Sequence, residues 1–200
     1  MKTNETIQSI LARRSYKAFK SDPIPDDILE TILNAAKHAP TGMNRQGWHF
    51  TVVKSEAGKA MFKAALQEAM RTRGPFGPRG PGGPGRPGGP SPAAPGTAAK
   101  PEEEFRGAPL LIIVSGDASA ETARCDCLLA AENMFIAAAS FGIMSGWTHM
   151  VVKDLFPDPN VKKQFKIPEG YEVYAAAFFG YPLGETKDRG PRKEGTVTFI

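Results

Sequence analysis

A Gly/Pro-rich tract, GPFGPRGPGGPGRPGGPSPAAPG at 74–96, limits the folds open to this chain of 200 residues more than any other feature. Seventeen of its 23 residues are Gly or Pro, so a regular helix or central strand cannot run through it. It begins as four Gly-X-Y triplets and loses that register at Arg86. Four triplets in one chain cannot sustain a collagen helix. The tract is therefore a linker between two small domains or an insertion within one.

The rest of the chain has the composition of a folded protein. Hydrophobic residues make up 41% of the sequence, which allows a sizeable core, and no apolar run reaches the roughly 18 residues needed to span a bilayer. The N-terminus MKTNETIQSI lacks the basic and apolar regions of a signal peptide, so we expect a cytoplasmic protein with no membrane partner. RNA-binding segments of this kind combine repeated Arg-Gly with aromatic residues, whereas the tract at 74–96 has Phe76 as its one aromatic residue, so we expect no nucleic-acid partner.

Cysteines and histidines do not form a recognisable metal-binding pattern. Cys125 and Cys127 lie two apart in a predicted helix, where their side chains diverge, and two thiols cannot make a zinc site by themselves. His38, His49 and His149 are scattered along the sequence. We expect reduced thiols and no metal site.

Hydrophobic periodicity predicts helices and strands without strict alternation, which favours an α+β fold with a mixed sheet. The first helix has Asn4 or Thr3 as its N-cap, and Ser55 opens the third. The long fourth helix is apolar nearly all round, which predicts burial, and Gly142 closes it. The predicted helices cover 3–15, 25–40, 55–71 and 120–141; the predicted strands cover 48–53, 108–116 and 171–182; a short helix and turn fall in 153–170, and GTVTFI at 195–200 is a candidate edge strand. On the second helix, one face is predicted to carry Ile28, Ile32, Ala35 and Ala39.

The stretch RRSYK at 13–17 places three cations and a hydroxyl at the end of the first helix. Arg guanidinium groups and a Lys ammonium suit a phosphate. The alternative is that these cations only complement the helix dipole.

Three further stretches have residue types that suit a flat, anionic ligand. APTGMNRQGWHF at 39–50 has amides at Asn44 and Gln46 that can bond a heteroaromatic edge, or it is an ordinary turn. FGIMSGWTHM at 141–150 is a glycine-containing loop whose backbone can approach a ligand closely. KDRGPRK at 187–193 is a second basic cluster, or a solvated charged tail.

Taken together and in this order, these stretches resemble the FMN-dependent nitroreductase family. The resemblance rests on RRSYKAF, APTGMNRQGWHF, FRGAPLLIIVSGD, AAENMFIAAASFGIMSGW and the closing FFGYP and RGPRK. It covers the chain apart from roughly 71–101. It implies a three-layer fold with a mixed, mostly antiparallel central sheet between helices, assembled as an intertwined homodimer with FMN at the subunit interface.

The resemblance also implies roles for individual residues. Phosphate and ribityl binding would fall to Arg13, Arg14, Ser15 and Lys17, with Arg192 and either Lys193 or Arg189 returning to the phosphate. The amide of Asn44, with Gln46 nearby, would bond the flavin or ribityl chain. Ser145, Gly146 and Trp147 would lie along the isoalloxazine, where a backbone N–H meets N5.

An activity follows from the same resemblance. NADH or NADPH would reduce FMN, and a small planar acceptor such as a nitroaromatic or quinone would then reoxidise it, in a ping-pong cycle without a catalytic side chain. A flavin-fragmenting or dehalogenating relative, or a flavin-binding protein without turnover, is the alternative. Because one flavin site draws on residues before and after the tract, 1–200 is predicted to be one domain with a loop insertion at 71–101. Phe76 and Arg79 would line a substrate channel, unless the insertion is a plain surface loop.

Overall fold

The computed structural model describes residues 2–73, 105–184, 192–193, 195 and 197–200. The helices are α1 (Glu5–Ala12), α2 (Asp26–Lys37), α3 (Glu56–Arg73), α4 (Ala123–Ser140), α5 (His149–Leu155) and α6 (Pro159–Gln164). The strands are β1 (Trp48–Val53), β2 (Leu110–Asp117), β3 (Met144–Trp147) and β4 (Tyr171–Gly180). A single 3-10 turn, Gly42–Asn44, precedes β1.

The four strands form one sheet in the order β1-β2-β4-β3, and each neighbouring pair is antiparallel. Parallel pairing occurs at one isolated bridge among the described residues, between Ser15 and Ser145. Strand β1 precedes the Gly/Pro tract and its partner β2 follows it, so residues from both sides of the tract share one sheet.

Helices cover both faces of the sheet, which gives three layers. Strand β2 is a continuous apolar run that is buried except at its last residue, as expected for a strand covered on both sides. Because side chains alternate along a strand, Ile112 packs with α2 and α4 in one cluster while Ile113 packs with Phe62 of α3 and Leu155 of α5 in the other. The predicted α+β, three-layer fold is therefore confirmed.

Local capping signals place two helix starts where the sequence predicts them. The Asn4 side chain accepts a hydrogen bond from the Ile7 amide, and the Ser55 hydroxyl accepts one from the Gly58 amide. Within the described residues, no helix is both long and apolar enough to cross a membrane.

Five details of the predicted elements differ in the structure. The inward face of α2 also includes Leu29 and Ala36, which are buried with the predicted Ile32 and Ala39, whereas Ile28 and Ala35 are half-buried at its margin. Helix α4 is not buried all round: Leu129 on its surface is 46% exposed. The remaining three concern segments. Within the 141–150 stretch, Met144–Trp147 form β3 rather than a loop, since they pair with β4. Residues 153–170 contain the last three residues of α5 as well as the short helix α6. Residues 71–73, predicted to begin the insertion, complete α3.

The candidate edge strand at 195–200 is also wrong for the described residues there, which lie outside any strand. Val197, Phe199 and Ile200 are fully or largely exposed. A short segment becomes a strand only when it pairs with a neighbour, and the described residues of 195–200 pair with no strand.

Candidate functional site

The RRSYK segment lies directly against strand β3. Ser15 and Ser145 form the parallel bridge, and the Tyr16 amide donates to the Ser145 carbonyl at 2.9 Å. Further along, the Lys20 amide donates to the Tyr181 carbonyl at 2.9 Å. Two of the sequence-predicted groups, 13–17 and 145–147, are therefore neighbours although about 130 positions separate them in the chain.

Gly146 has no room for a side chain at this contact. A Cβ atom built there would lie 2.5 Å from the Tyr16 carbonyl oxygen and 3.4 Å from Cζ of Phe19. Gly146 is buried, yet the next residue, Trp147, is 52% exposed. Glycine is thus what allows the RRSYK segment to approach β3, whereas the predicted close approach of a ligand to this backbone stays a prediction.

The cations of this segment have different surroundings. The Arg13 Nε lies 3.8 Å from the Glu132 carboxylate of α4. The Arg14 guanidinium donates to the carbonyls of Leu11, Ala12 and Arg13 at 2.6, 3.1 and 3.1 Å, so it caps the C-terminus of α1. That contact matches the helix-dipole alternative for Arg14. Ser15 and Lys17 are exposed to solvent.

Two aromatic features lie beside the same contact. The Tyr16 hydroxyl is buried and has no hydrogen-bond partner among the described residues. The exposed Trp147 ring meets the His149 ring edge-on, with centroids 6.2 Å apart. An unpaired buried hydroxyl is costly, and such groups are rare enough to mark a place of interest.

The second predicted group, the loop at 41–47, has an unusual backbone. Met43, Asn44 and Gln46 have φ angles of 52°, 54° and 51°, in the left-handed region that side chains other than Gly and Asn seldom adopt. The Gln46 side-chain amide donates to the Asn44 side-chain oxygen at 3.0 Å, so the two predicted ligands contact each other. Backbone strain of this kind concentrates at functional sites.

Helix α4 holds the loop through a residue that the sequence analysis missed. The Asp126 carboxylate accepts the Gly42 amide at 3.2 Å on one oxygen and the Thr122 hydroxyl at 3.0 Å on the other. Asp126 is only 7% exposed. An acid within an Ala-rich helix carries no local signal of its role, although the spacing of four between Thr122 and Asp126 could have suggested their contact.

Gly42 is also tightly constrained by α4. A Cβ at Gly42 would lie 2.4 Å from the Thr122 Oγ1, so this position cannot accept a side chain without a shift of the loop. At the other end of the loop, the Asp117 amide donates to the Gly47 carbonyl at 3.1 Å. Hydrogen bonds from the Ser119 hydroxyl and amide lower the pKa of the Asp117 carboxyl, which therefore stays ionised beside the loop.

The two groups lie at opposite ends of the sheet within one chain. Ser145 pairs with Phe179, which pairs with Leu110 at the start of β2. Gly47 meets Asp117 at the end of β2. Seven residue steps along a strand span about 23 Å. One chain therefore does not bring the 13–17 and 145–147 group into contact with the 41–47 loop.

The other predicted site residues add nothing to this geometry. Arg192 and Lys193 are exposed and belong to no helix or strand. Phe76, Arg79 and Arg189 lie outside the described residues. In the described ranges, no group of three or more His, Cys, Asp or Glu side chains is arranged to hold a metal ion.

The fold and these motifs agree with a family-level match. The model of the Nitroreductase family matches residues 10–181. This chain belongs to the nitroreductase family.

Individual members of the family share the fold and much of the length. A relative from Archaeoglobus fulgidus, provisionally named NADH dehydrogenase/NAD(P)H nitroreductase, is 30% identical over 90% of this chain and 87% of its own length. A Bacteroides fragilis nitroreductase solved with bound FMN superposes with a TM-score of 0.75, at 30% identity, over 99% of this chain and 100% of that one. An iodotyrosine deiodinase from Hydra vulgaris is 30% identical over a shorter stretch, 34% of this chain and 25% of that protein. Family membership and these names support an oxidoreductase.

Proposed function

We propose that the protein is an FMN-dependent oxidoreductase that uses NADH or NADPH to reduce nitroaromatics, quinones or similar small planar acceptors. The observation that carries the proposal is the contact between the RRSYK segment and β3 at Gly146, where the chain leaves no room for a side chain. The FMN bound by the Bacteroides fragilis nitroreductase, at 30% identity over nearly the whole chain, supports the choice of cofactor.

The residues present fit such a cofactor. Arg13 and Lys17 supply positive charge for a phosphate, and the exposed Ser15 hydroxyl adds a donor between them. The exposed Trp147 ring offers a flat apolar surface next to the Gly146 backbone. The buried Tyr16 hydroxyl has no hydrogen-bond partner among the described residues. Cations, a close backbone contact and an open aromatic ring along the same two segments suit a planar ligand with a phosphate tail.

When bound, FMN supplies the redox chemistry, in which a hydride passes from NAD(P)H to the flavin and then to the acceptor in two separate half-reactions. The chain's own share is binding and orientation. The cations of 13–17 would hold the anionic end, with Arg192 and Lys193 or Arg189 adding to them, while Ser145, Gly146 and Trp147 present backbone and ring to the flat end. The amides of Asn44 and Gln46 would bond the polar edge. We assign no side chain as an acid or base.

We propose further that two copies of the chain complete each site. The 41–47 loop and the RRSYK segment lie at opposite ends of β2, so one cofactor can meet both only if a second copy supplies one of them. Exposed apolar residues offer a surface for that copy. Helix α1 has no buried residue, Ile10 and Leu11 are 39% and 48% exposed, and Leu129 of the adjoining α4 is 46% exposed. Adjacent exposed apolar side chains of this kind mark interaction surfaces.

The cofactor is tested by purifying the protein and recording its absorption spectrum. We expect a yellow protein that releases FMN on denaturation, or a colourless one that FMN titration loads at one per chain. Steady-state rates at several NADPH and quinone concentrations should give the parallel double-reciprocal lines of a ping-pong cycle. A protein that cannot be loaded with FMN would refute the proposal.

The assembly is tested by light scattering on wild type and on Leu129→Glu, which places a charge on the exposed apolar face of α4. We expect a wild-type dimer with bound FMN and a variant that dissociates and loses FMN. Ser140→Glu is a control, since Ser140 is already exposed and polar at the C-terminal end of α4. A wild-type monomer that retains FMN would contradict the two-copy site.

A dehalogenating activity is the second candidate, favoured by the partial likeness to an iodotyrosine deiodinase. Iodide release from 3-iodotyrosine by the dithionite-reduced, FMN-loaded protein tests it directly. The one-domain organisation, with an insertion that begins after α3 and runs to about 101, is also a proposal. Replacing 74–96 by a short Gly-Ser loop tests the substrate-channel role of Phe76 and Arg79, because unchanged acceptor preference and turnover would leave only a surface insertion.

A further inference from the structure

We propose that Asp126 is a positioning residue that fixes the 41–47 loop in its cofactor-binding conformation. The inference rests on the proposed function, because it concerns the loop that carries Asn44 and Gln46. It assigns a site role to a side chain that contacts neither of those amides and stands 80 positions away from them in the sequence.

The first step is the contact itself. Asp126 is a buried acid, and both its oxygens accept hydrogen bonds: Gly42 N–H at 3.2 Å and the Thr122 hydroxyl at 3.0 Å. A buried carboxylate is expensive unless such bonds satisfy it. Neither bond connects α4 to another α-helix or to a strand of the sheet. One of them reaches the loop backbone, so the carboxylate acts on the loop.

The second step is the conformation that this contact holds. Gly42 begins the 3-10 turn, and the residues that follow include three left-handed ones, Met43, Asn44 and Gln46. Such a backbone persists only when its surroundings hold it. The Thr41 hydroxyl accepts a hydrogen bond from the backbone amide of Gln46 at 3.2 Å. This bond closes the loop on itself but does not attach it to the rest of the protein. The Gly42 bond to Asp126 provides an attachment on the helix side.

The third step is that the loop has little freedom to find another position. The Thr122 side chain, itself bonded to Asp126, fills the space where a Gly42 side chain would lie. Thr122 at the start of α4 thus packs against Gly42, and Asp126 one turn later accepts the Gly42 amide. Loss of the carboxylate would leave the Gly42 amide without this acceptor and release the Asn44 and Gln46 amides from a fixed geometry.

The test compares FMN dissociation constants, measured by quenching of FMN fluorescence, and unfolding midpoints of the ligand-free full-length protein. We expect Asp126→Ala to raise the Kd about tenfold, since hydrogen bonds to a charged group have roughly that effect when lost. Asp126→Asn should stay within about twofold of wild type, because its amide oxygen can accept from Gly42 and its NH2 can donate to Thr122.

A matched control separates positioning from stability. Asn133 on the same helix donates its side-chain amide to the Ala35 carbonyl at 3.0 Å, so Asn133→Ala also removes a hydrogen bond from α4 but leaves the loop contact in place. It should lower the unfolding midpoint without changing the Kd. Hydrogen exchange of the 41–47 amides in ligand-free protein should rise in Asp126→Ala and not in Asn133→Ala, a readout that needs no cofactor.

The outcomes are distinguishable. If wild type and Asp126→Ala bind FMN equally well and the amides of 41–47 exchange at the same rate in both, the role of Asp126 is overturned and the proposed function stays intact. Wild-type protein that fails to bind FMN would reject the proposed function and this role with it. If Asp126→Ala does not fold, Thr122→Ala replaces it; it removes one of the two bonds and should raise both the Kd and the exchange by a smaller factor.

Discussion

Replacing Gly146 with Ala should detach the RRSYK segment from strand β3. The added Cβ would lie 2.5 Å from the Tyr16 carbonyl oxygen and 3.4 Å from Phe19 Cζ. Backbone cannot move aside as a flexible side chain can, so the segment must shift away from the strand. That movement strains the 2.9 Å bond from the Tyr16 amide to the Ser145 carbonyl.

The expected loss of stability can be worked from these two contacts. Overpacking a well-packed site costs about 1–3 kcal/mol, and a lost backbone hydrogen bond costs about 0.5–1.5 kcal/mol, so Gly146→Ala should lower the free energy of unfolding by roughly 2–4 kcal/mol. For a chain of this size that corresponds to a fall in Tm of about 4–16 °C. The variant should also bind FMN more weakly, because the cations of 13–17 and the Gly146 backbone no longer share one geometry.

Urea unfolding followed by circular dichroism, with FMN titration of the same samples, measures both effects. Gly195→Ala is the control: a Cβ at Gly195 meets nothing within 4 Å and the φ angle there is not left-handed, so its unfolding free energy should stay within about 0.5 kcal/mol of wild type. The reasoning is refuted if Gly146→Ala is as stable as Gly195→Ala and binds FMN equally well.

Four further predictions concern the two thiols, a charge near Arg13 and the exposed ring. Burial raises the pKa of the Cys127 thiol from 9.0 to about 12, so the thiol ionises in the unfolded chain before it does in the folded one. The free energy of unfolding should therefore fall as the pH rises from about 9 towards 12. In Cys127→Ala this contribution to the fall should be missing when the free energy of unfolding is measured in urea at several pH values. At pH 8 a thiol reagent should modify the exposed Cys125 quickly and Cys127 only on unfolding. Glu132→Gln should lower the Kd for FMN by up to a few-fold in low salt, because it removes the anion 3.8 Å from Arg13, and the gain should vanish in high salt. Trp147→Ala should change the unfolding free energy by less than about 1 kcal/mol, since half of the ring is already exposed, yet raise the Kd for FMN measurably if the ring contacts the cofactor.

The elements that the sequence predicts well are those whose signal is local. The apolar run of β2 and the alternation in β1 identify strands, and Asn4 and Ser55 identify helix starts through their own side chains. Strand β3 is different. Gly146 within it and Gly142 before it favour a loop, and the segment becomes a strand only through pairing with β4, more than twenty positions later. A non-local partner of that kind leaves no trace in a short window of sequence.

The same limit separates the two parts of the candidate site. Residue type alone points to Arg13, Lys17, Asn44 and Gln46, because guanidinium, ammonium and amide groups suit a phosphate and a heteroaromatic edge. For the cations of 13–17 the sequence offers phosphate binding and helix capping as alternatives. It does not reveal that Arg14 in particular caps α1, since that geometry depends on how the helix ends. Nor does it reveal Asp126, whose contact with the loop depends on the packing of α4 against it.

The free-energy costs of the backbone and of the buried acid at the 41–47 loop, and of the crowded glycine at the RRSYK contact, bear on where the function lies. Left-handed residues other than Gly each cost about 1–2 kcal/mol, and a buried carboxylate must be solvated by the protein itself. The chain carries three such residues and a buried acid at the 41–47 loop, and a strand residue with no room for a Cβ at the RRSYK contact. Single features of these kinds also occur in or beside the core: Lys166 is left-handed between the buried Phe165 and Ile167, and Gly116 and Gly180 of the sheet leave no room for a Cβ without a shift. The 41–47 loop differs because three left-handed residues and a buried acid that accepts its backbone amide occur together there. We expect that combination to serve the cofactor site that two copies are proposed to share.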